Sequence, residues 1–227
     1  MANFRTHLSV AAAGGAVLAH GGWQAGLWSA VDSLPILALT ALGGILPDID
    51  SDSSKAIRLI FNLLAVPAVV AAAVMLQPRL SDGALLLVCG AIYLGVRYVA
   101  GAVFARFTVH RGLWHSLLAG AMCGLATTAI SYRLFPLPEA LAWAHGGALA
   151  VGFAIHLLLD EIYSVDLEGA RLKRSFGTAF KPFDFRDPGN SLAMLCVTLS
   201  LAPWLPSWDG LLALAQQGQA LMPGGWR

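Results

Sequence analysis

Residues 140–161 read ALAWAHGGALAVGFAIHLLLDE, and this stretch decides the class of protein. An almost unbroken apolar run extends from Ala140 to Leu159, and the carboxylates of Asp160 and Glu161 end it. A helix that spans the hydrocarbon core of a bilayer needs about 20 predominantly apolar residues. The stretch therefore predicts a transmembrane helix with His156 and two carboxylates at one end.

The composition of the whole chain agrees with a membrane protein. Hydrophobic residues make up 57% of the 227 residues, charged residues make up 12%, and the mean hydropathy is +0.69. Soluble domains carry about 25% charged residues. The net charge of +1 excludes a basic nucleic-acid binder, and the composition also excludes a collagen, a disordered tail and a disulfide-rich module. We predict one all-α integral membrane domain over residues 1–227.

Apolar runs separated by charges and prolines predict about six or seven transmembrane helices in a polytopic bundle. The second and seventh runs are short and suit tilted or re-entrant helices. A polar loop is predicted at 161–190 and an interfacial tail at 208–227. The seven runs are residues 8–30, 33–46, 56–76, 83–104, 116–132, 140–159 and 191–205.

Alternation of helix direction places several polar segments on one membrane face. The N-terminus, residues 47–55, residues 105–115 and the 161–190 loop share that face, if each predicted helix crosses once. Most Lys and Arg residues lie on the same face, so the positive-inside rule makes it cytoplasmic. We therefore expect an inner or plasma membrane protein whose polar cluster faces the cytoplasm.

The strongest local signal is His156-Leu-Leu-Leu-Asp160. An i, i+4 spacing puts the imidazole and the carboxylate on one helix face, where they can clamp one metal ion or bridge two. The alternative interpretation is a histidine at a helix end with an unrelated aspartate beyond it.

Two further segments carry candidate ligands. Asp48 and Asp50 follow Pro47, which ends the second helix, and clustered aspartates repel each other unless a cation or several donors offset their charge. His110 and His115 flank Arg111, whose guanidinium would suit a phosphate. A capping or interface role is the alternative for each histidine taken alone.

The types of candidate ligand restrict which metal ions would bind. Imidazole and carboxylate without thiolate suit Zn²⁺, Mn²⁺ or Fe²⁺, and seven candidates exceed the four ligands of one structural zinc. We therefore expect two divalent metals, most simply two Zn²⁺, with Mn²⁺ or Fe²⁺ as alternatives. The candidate ligands are His7, Asp48, Asp50, His110, His115, His156 and Asp160.

These motifs together resemble the YdjM-like family of LexA-regulated, membrane-bound, metal-dependent hydrolases. The matching pieces are Thr6-His7, residues 44–51 (GILPDIDS), residues 110–116 (HRGLWHS) and His156-Leu-Leu-Leu-Asp160. The resemblance implies a helical membrane domain with a metal centre and a distant kinship with zinc-dependent phospholipase C and P1-type nucleases. It implies that all seven candidates are metal ligands or catalytic groups.

We therefore expect a hydrolase that cleaves a phosphate ester of a lipid or lipid-linked substrate with metal-activated water. Asp50 or Asp160 would orient or deprotonate the water, and His115 is a further catalytic candidate. The substrate phosphate would be held by basic side chains, namely those of Arg111, Lys173, Arg174 and Lys181. The alternatives are a non-catalytic, metal-stabilised scaffold with a closed ligand shell and, third, a transporter.

Overall fold

The computed structural model describes residues 3–50, 55–102, 112–166, 171–172 and 180–220. Within these ranges the regular secondary structure is helical apart from one short antiparallel hairpin, Val165–Asp166 with Arg171–Leu172. The prediction of an all-α protein is confirmed to this extent. The helices are α1 (Phe4–Gln24), α2 (Ser33–Gly43), α3 (Lys55–Leu76), α4 (Asp82–Leu94), α5 (Leu117–Arg133), α6 (Glu139–Ile162), α7 (Pro188–Ser200) and α8 (Trp208–Ala220), with 3₁₀ turns at Pro47–Asp50 and Ala202–Trp204 and a π-helical turn at Gly95–Ala100.

Two helices are long and apolar enough to cross a membrane in the described part of the chain. They are Asp82–Ala100, of 19 residues, and Glu139–Ile162, of 24 residues. Helices Pro188–Trp204 and Trp208–Gln219 meet at an angle of 90° and make a third candidate span if they are counted as one. The larger number of six or seven crossings stays a prediction.

Helix α1 is shorter than its apolar run. It ends at Gln24 rather than continuing to Ala30, and Gly26 follows with φ of +71°, a left-handed conformation that residues with a Cβ rarely adopt. The indole of Trp28 then turns back and donates a hydrogen bond to the Ala19 carbonyl over 3.0 Å. The chain thereby reverses direction into α2.

The described contacts group the chain into two compact units, Met1–Pro47 with Leu113–Arg227, and Asp48–Gly112. The first unit contains α1, α2 and α5 to α8, and the second contains α3 and α4. No residue of Asp82–Ala100 is buried, and its side chains are exposed or half-buried along the helix. The prediction of a single domain remains a prediction.

In the first unit α6 lies at the centre and packs against α1, α2, α5 and α8. Glycines bring α2 and α6 close together. A Cβ at Gly43 would collide with the Leu149 carbonyl, and a Cβ at Gly152 would collide with the Thr40 carbonyl. Small residues are what allow helices to approach closely in lipid. This contact fixes the position of the α2 C-terminus beside the second half of α6.

Candidate metal centre

Three histidines surround one carboxylate at a common end of the helices of the first unit. His7 lies in the first turn of α1, His115 lies just before α5, and His156 and Asp160 lie in the last two turns of α6. All four are buried, with exposed fractions of 0 to 3%. Buried charged groups are rare unless they are paired or bind a metal, so this cluster is the strongest candidate for a functional site in the described residues.

The distances are those of atoms that could share an ion. His7 Nε2 lies 3.3 Å from Asp160 Oδ1, while His115 Nε2 and His156 Nε2 lie 3.8 and 3.9 Å from Asp160 Oδ2. Zinc bonds of 2.0–2.1 Å in a tetrahedron place neighbouring ligand atoms about 3.3–3.4 Å apart. One ligand atom from each of His7, His156 and Asp160 lies within 4.8 Å of the other two. These three residues could therefore hold a divalent ion.

The His156 ring is oriented by a backbone carbonyl. Its Nδ1 lies 2.7 Å from the Gly44 oxygen, and because a carbonyl only accepts, Nδ1 carries the proton. In a neutral imidazole the lone pair is then on Nε2, the nitrogen that faces Asp160. A carbonyl on the far nitrogen is the usual partner of a metal-ligating histidine. This arrangement favours a metal ligand over the alternative of an unrelated histidine and aspartate at a helix end.

His7 is positioned by the start of α1. Asn3 caps the helix, since its side chain accepts a hydrogen bond from the Thr6 amide over 2.9 Å. The cap sets the first turn so that His7 lies on the same buried stripe as Ala11, Gly15 and Ala19. The imidazole rings of His7 and His156 stack at 3.6 Å, and among the described residues His7 Nδ1 has no hydrogen-bond partner.

His115 is positioned by the start of α5. Ser116 is the N-cap residue and accepts from the Ala119 amide over 3.2 Å. The amides of the first two helical residues, Leu117 and Leu118, donate to the carbonyls of Lys181 and Pro182 respectively. The helix start is therefore fully hydrogen-bonded, which holds His115 with its ring edge toward His156 at 5.6 Å between ring centroids.

The remaining predicted site residues divide into two groups. Asp48 is half-buried in the 3₁₀ turn, Asp50 ends that turn, and Lys181 forms an ion pair of 3.1 Å with Asp184. The side chain of Asp50 lies outside the described part of the chain. Four further predicted site residues lie wholly outside the described part of the chain, namely His110, Arg111, Lys173 and Arg174.

The two other histidines of the described residues, His20 and His145, lie away from this cluster. His20 is exposed and packs edge-on against Trp23. His145 is buried in α6 and lies 3.0 Å from the hydroxyl of Ser131. Neither belongs to the candidate metal cluster of the described residues.

Sequence reasoning missed two groups that position the cluster. The first is the Gly44 carbonyl, which lay inside a quoted motif but received no role, because a backbone acceptor has no side-chain signature. The second is Asn3. An asparagine just before the first residue of a helix is a usual helix-start signal, so Asn3 could have been found.

The fold and this cluster define a membrane-associated helical protein with a possible His/Asp metal site. A family model described as YdjM inner membrane protein matches residues 1–186. The chain belongs to this family, which confirms the resemblance to the YdjM family, while the metal-dependent hydrolase activity and the kinship with phospholipase C and P1-type nucleases stay predictions. Comparisons with curated proteins and with solved structures give no match.

Proposed function

We propose that this protein is a membrane-embedded, metal-dependent hydrolase that cleaves a phosphate ester of a lipid or lipid-linked substrate. The observation that carries the proposal is the convergence of three buried histidine Nε2 atoms on Asp160 at the end of a candidate membrane span. Burying ionisable groups is costly unless they are paired or bind a metal. The donor set fits Zn²⁺, Mn²⁺ or Fe²⁺.

In this proposal His7, His115, His156 and Asp160 hold the metal. The two Asp160 oxygens face different histidines, Oδ1 toward His7 and Oδ2 toward the other two, so both oxygens could serve as metal ligands. The metals would lower the pKa of a bound water and stabilise charge on phosphate oxygens. His156 is kept in its ligating tautomer by Gly44.

Further residues are assigned from the sequence. Asp48 lies four residues after Gly44 and would complete the ligand shell, together with His110 and Asp50. Asp50 or Asp160 would orient the attacking water and accept its proton. The substrate phosphate would be held by Arg111, Lys173, Arg174 and Lys181.

We also propose that the cluster faces the cytoplasm of an inner or plasma membrane, as the positive-inside rule indicates. The crossing number of six or seven and the distant kinship with phospholipase C and P1 nuclease belong to the same proposal. An ester of a lipid phosphate is the substrate class that reaches a site at a membrane boundary without leaving the bilayer.

One observation favours the non-catalytic alternative. The four cluster residues are almost completely buried, and a structural zinc site has a closed shell of four protein ligands. The histidines and Asp160 could supply such a shell. A metal-stabilised scaffold is therefore the second candidate function.

Metal analysis combined with a phosphatase assay separates the two candidates. The protein is purified in detergent without chelator, its metal content is measured, and phosphate release is followed with phosphatidic acid, phosphatidylglycerophosphate and undecaprenyl phosphate. Bound metal with chelator-sensitive phosphate release supports the hydrolase. Bound metal with no turnover on any substrate supports the scaffold, and no metal in the wild type would refute both.

A further inference from the structure

Three exposed phenylalanines stand close to the candidate metal centre. Phe180, Phe183 and Phe185 are 42, 39 and 64% exposed, and the rings of Phe183 and Phe185 contact each other at 4.4 Å between centroids. We call residues 180–186 the aromatic segment. An exposed group of this size costs free energy in water, at roughly 25 cal/mol per Å² of apolar surface, so it marks a contact with something apolar.

The aromatic segment is held in place by the fold. The carbonyls of Lys181 and Pro182 accept from the first amides of α5 over 2.9 and 3.0 Å. Ser191, in the first turn of α7, donates its hydroxyl to the Asp184 carbonyl over 3.0 Å. The Asp184 carboxylate accepts from the Arg186 amide and pairs with Lys181. The phenylalanines are therefore presented outward by a tethered turn.

These hydrogen bonds also set the depth of the aromatic segment relative to a membrane. The candidate span Glu139–Ile162 ends two residues after Asp160, and His115 at the start of α5 lies 3.8 Å from Asp160. The aromatic segment is bonded to that same start of α5. Its phenylalanines thus lie at the end of the bundle where the span ends and where Tyr163 is itself 46% exposed.

We propose that the aromatic segment inserts Phe183 and Phe185 into the interfacial layer of the bilayer and binds anionic phospholipid there. Aromatic side chains concentrate at the level of the headgroups. Exposed Arg186 follows Phe185 directly and adds a positive charge that attracts anionic lipids, whereas the charge of Lys181 is paired with Asp184. The partner is a phospholipid at the membrane boundary. The aromatic segment would bring the phosphate of the bound lipid beside His115, an inference that rests on the proposed function.

Depth-dependent quenching tests the insertion without any turnover. Phe185 is replaced by cysteine in a background of Cys89→Ser, Cys123→Ala and Cys196→Ser, labelled with bimane, and reconstituted into phosphatidylcholine vesicles with and without phosphatidylglycerol. Brominated lipids quench a label in the bilayer, and iodide quenches a label in water. The matched control is Gly189→Cys, because an added Cβ there meets only the Asp187 carboxylate at 3.9 Å.

We expect brominated lipid to quench the Phe185→Cys label several-fold more than the Gly189→Cys label, with the opposite order for iodide. Adding phosphatidylglycerol should increase lipid quenching at position 185, and Arg186→Gln should remove that increase. Equal lipid quenching at the two positions, or stronger iodide quenching at 185, would overturn the insertion. A lack of response to phosphatidylglycerol would overturn the preference for anionic lipid.

Two double variants without a label provide a separate test in case the labelled protein does not fold. Phe183→Leu with Phe185→Leu keeps apolar side chains, whereas Phe183→Ser with Phe185→Ser removes them. We expect only the serine pair to lose protection of the segment from protease in vesicles. Equal cleavage of both pairs and the wild type would refute insertion, whereas absence of phosphate release would refute only the proposed function.

Discussion

Replacing Gly44 by alanine tests the link between helix packing and metal binding. An added Cβ would collide with the Ala11 side chain and approach the His7 carbonyl at 3.4 Å. The C-terminus of α2 must then move, and with it the carbonyl that lies 2.7 Å from His156 Nδ1. Loss of such a partner of a metal-ligating histidine costs 10–100-fold in metal affinity, or about 1.4–2.8 kcal/mol.

Two further glycines of α6 provide matched controls. Gly147→Ala adds a methyl group where no atom lies within 4 Å, so it should behave as the wild type. Gly146→Ala collides with Thr128 and the Gly124 carbonyl, and this contact between α5 and α6 lies about 15 Å along the helix from His156 at 1.5 Å per residue. It should lower the unfolding temperature without a specific loss of metal affinity.

Zinc affinity is measured by competition with a chromophoric chelator, and thermal unfolding is followed with and without zinc. Because a ligand that binds only the folded state stabilises it by an amount that rises with the logarithm of its affinity, Gly44→Ala should reduce the zinc-dependent rise in unfolding temperature. Zinc affinity in Gly44→Ala equal to that of Gly146→Ala would refute the reasoning. It would show that the carbonyl does not orient His156 for a metal.

Three further outcomes are expected. His156→Ala should lower the measured metal content, whereas His145→Ala, a buried histidine of the same helix bonded to Ser131, should leave it unchanged; equal metal loss in both would contradict the assigned cluster. Phe153→Ala should destabilise the protein by about 3–5 kcal/mol, since Phe153 is 1% exposed. A much smaller change in the free energy of unfolding, measured with denaturant, would show that the surroundings of Phe153 are loosely packed. Lys181→Ala should raise KM for a lipid phosphate more than kcat falls, and an unchanged KM would remove Lys181 from the substrate contacts.

Much of this protein follows from its sequence because the controlling signals are local. The apolar run before His156 predicts a long helix, and the structure has α6 at Glu139–Ile162. The i, i+4 spacing places His156 and Asp160 on one face, and they lie 3.9 Å apart between Nε2 and Oδ2. Ser116, which precedes an apolar run, caps α5 as such residues commonly do.

The parity of helix direction also predicted that distant histidines would share one end of the bundle. His7, His115 and His156 do meet at Asp160 in the first unit. The sequence could not supply their distances, because a residue pattern fixes which end of a helix a side chain occupies but not how closely two helices approach.

Only the tertiary structure determined how closely α2 and α6 approach each other. Gly43 and Gly152 let α2 and α6 touch at backbone level, and this contact delivers the Gly44 carbonyl to His156. Backbone carbonyls are chemically identical along the chain, so no pattern marks the one that orients a ligand. Sequence therefore determined the helices and the residue types at their ends, whereas packing between residues 112 positions apart determined the geometry that a metal would meet.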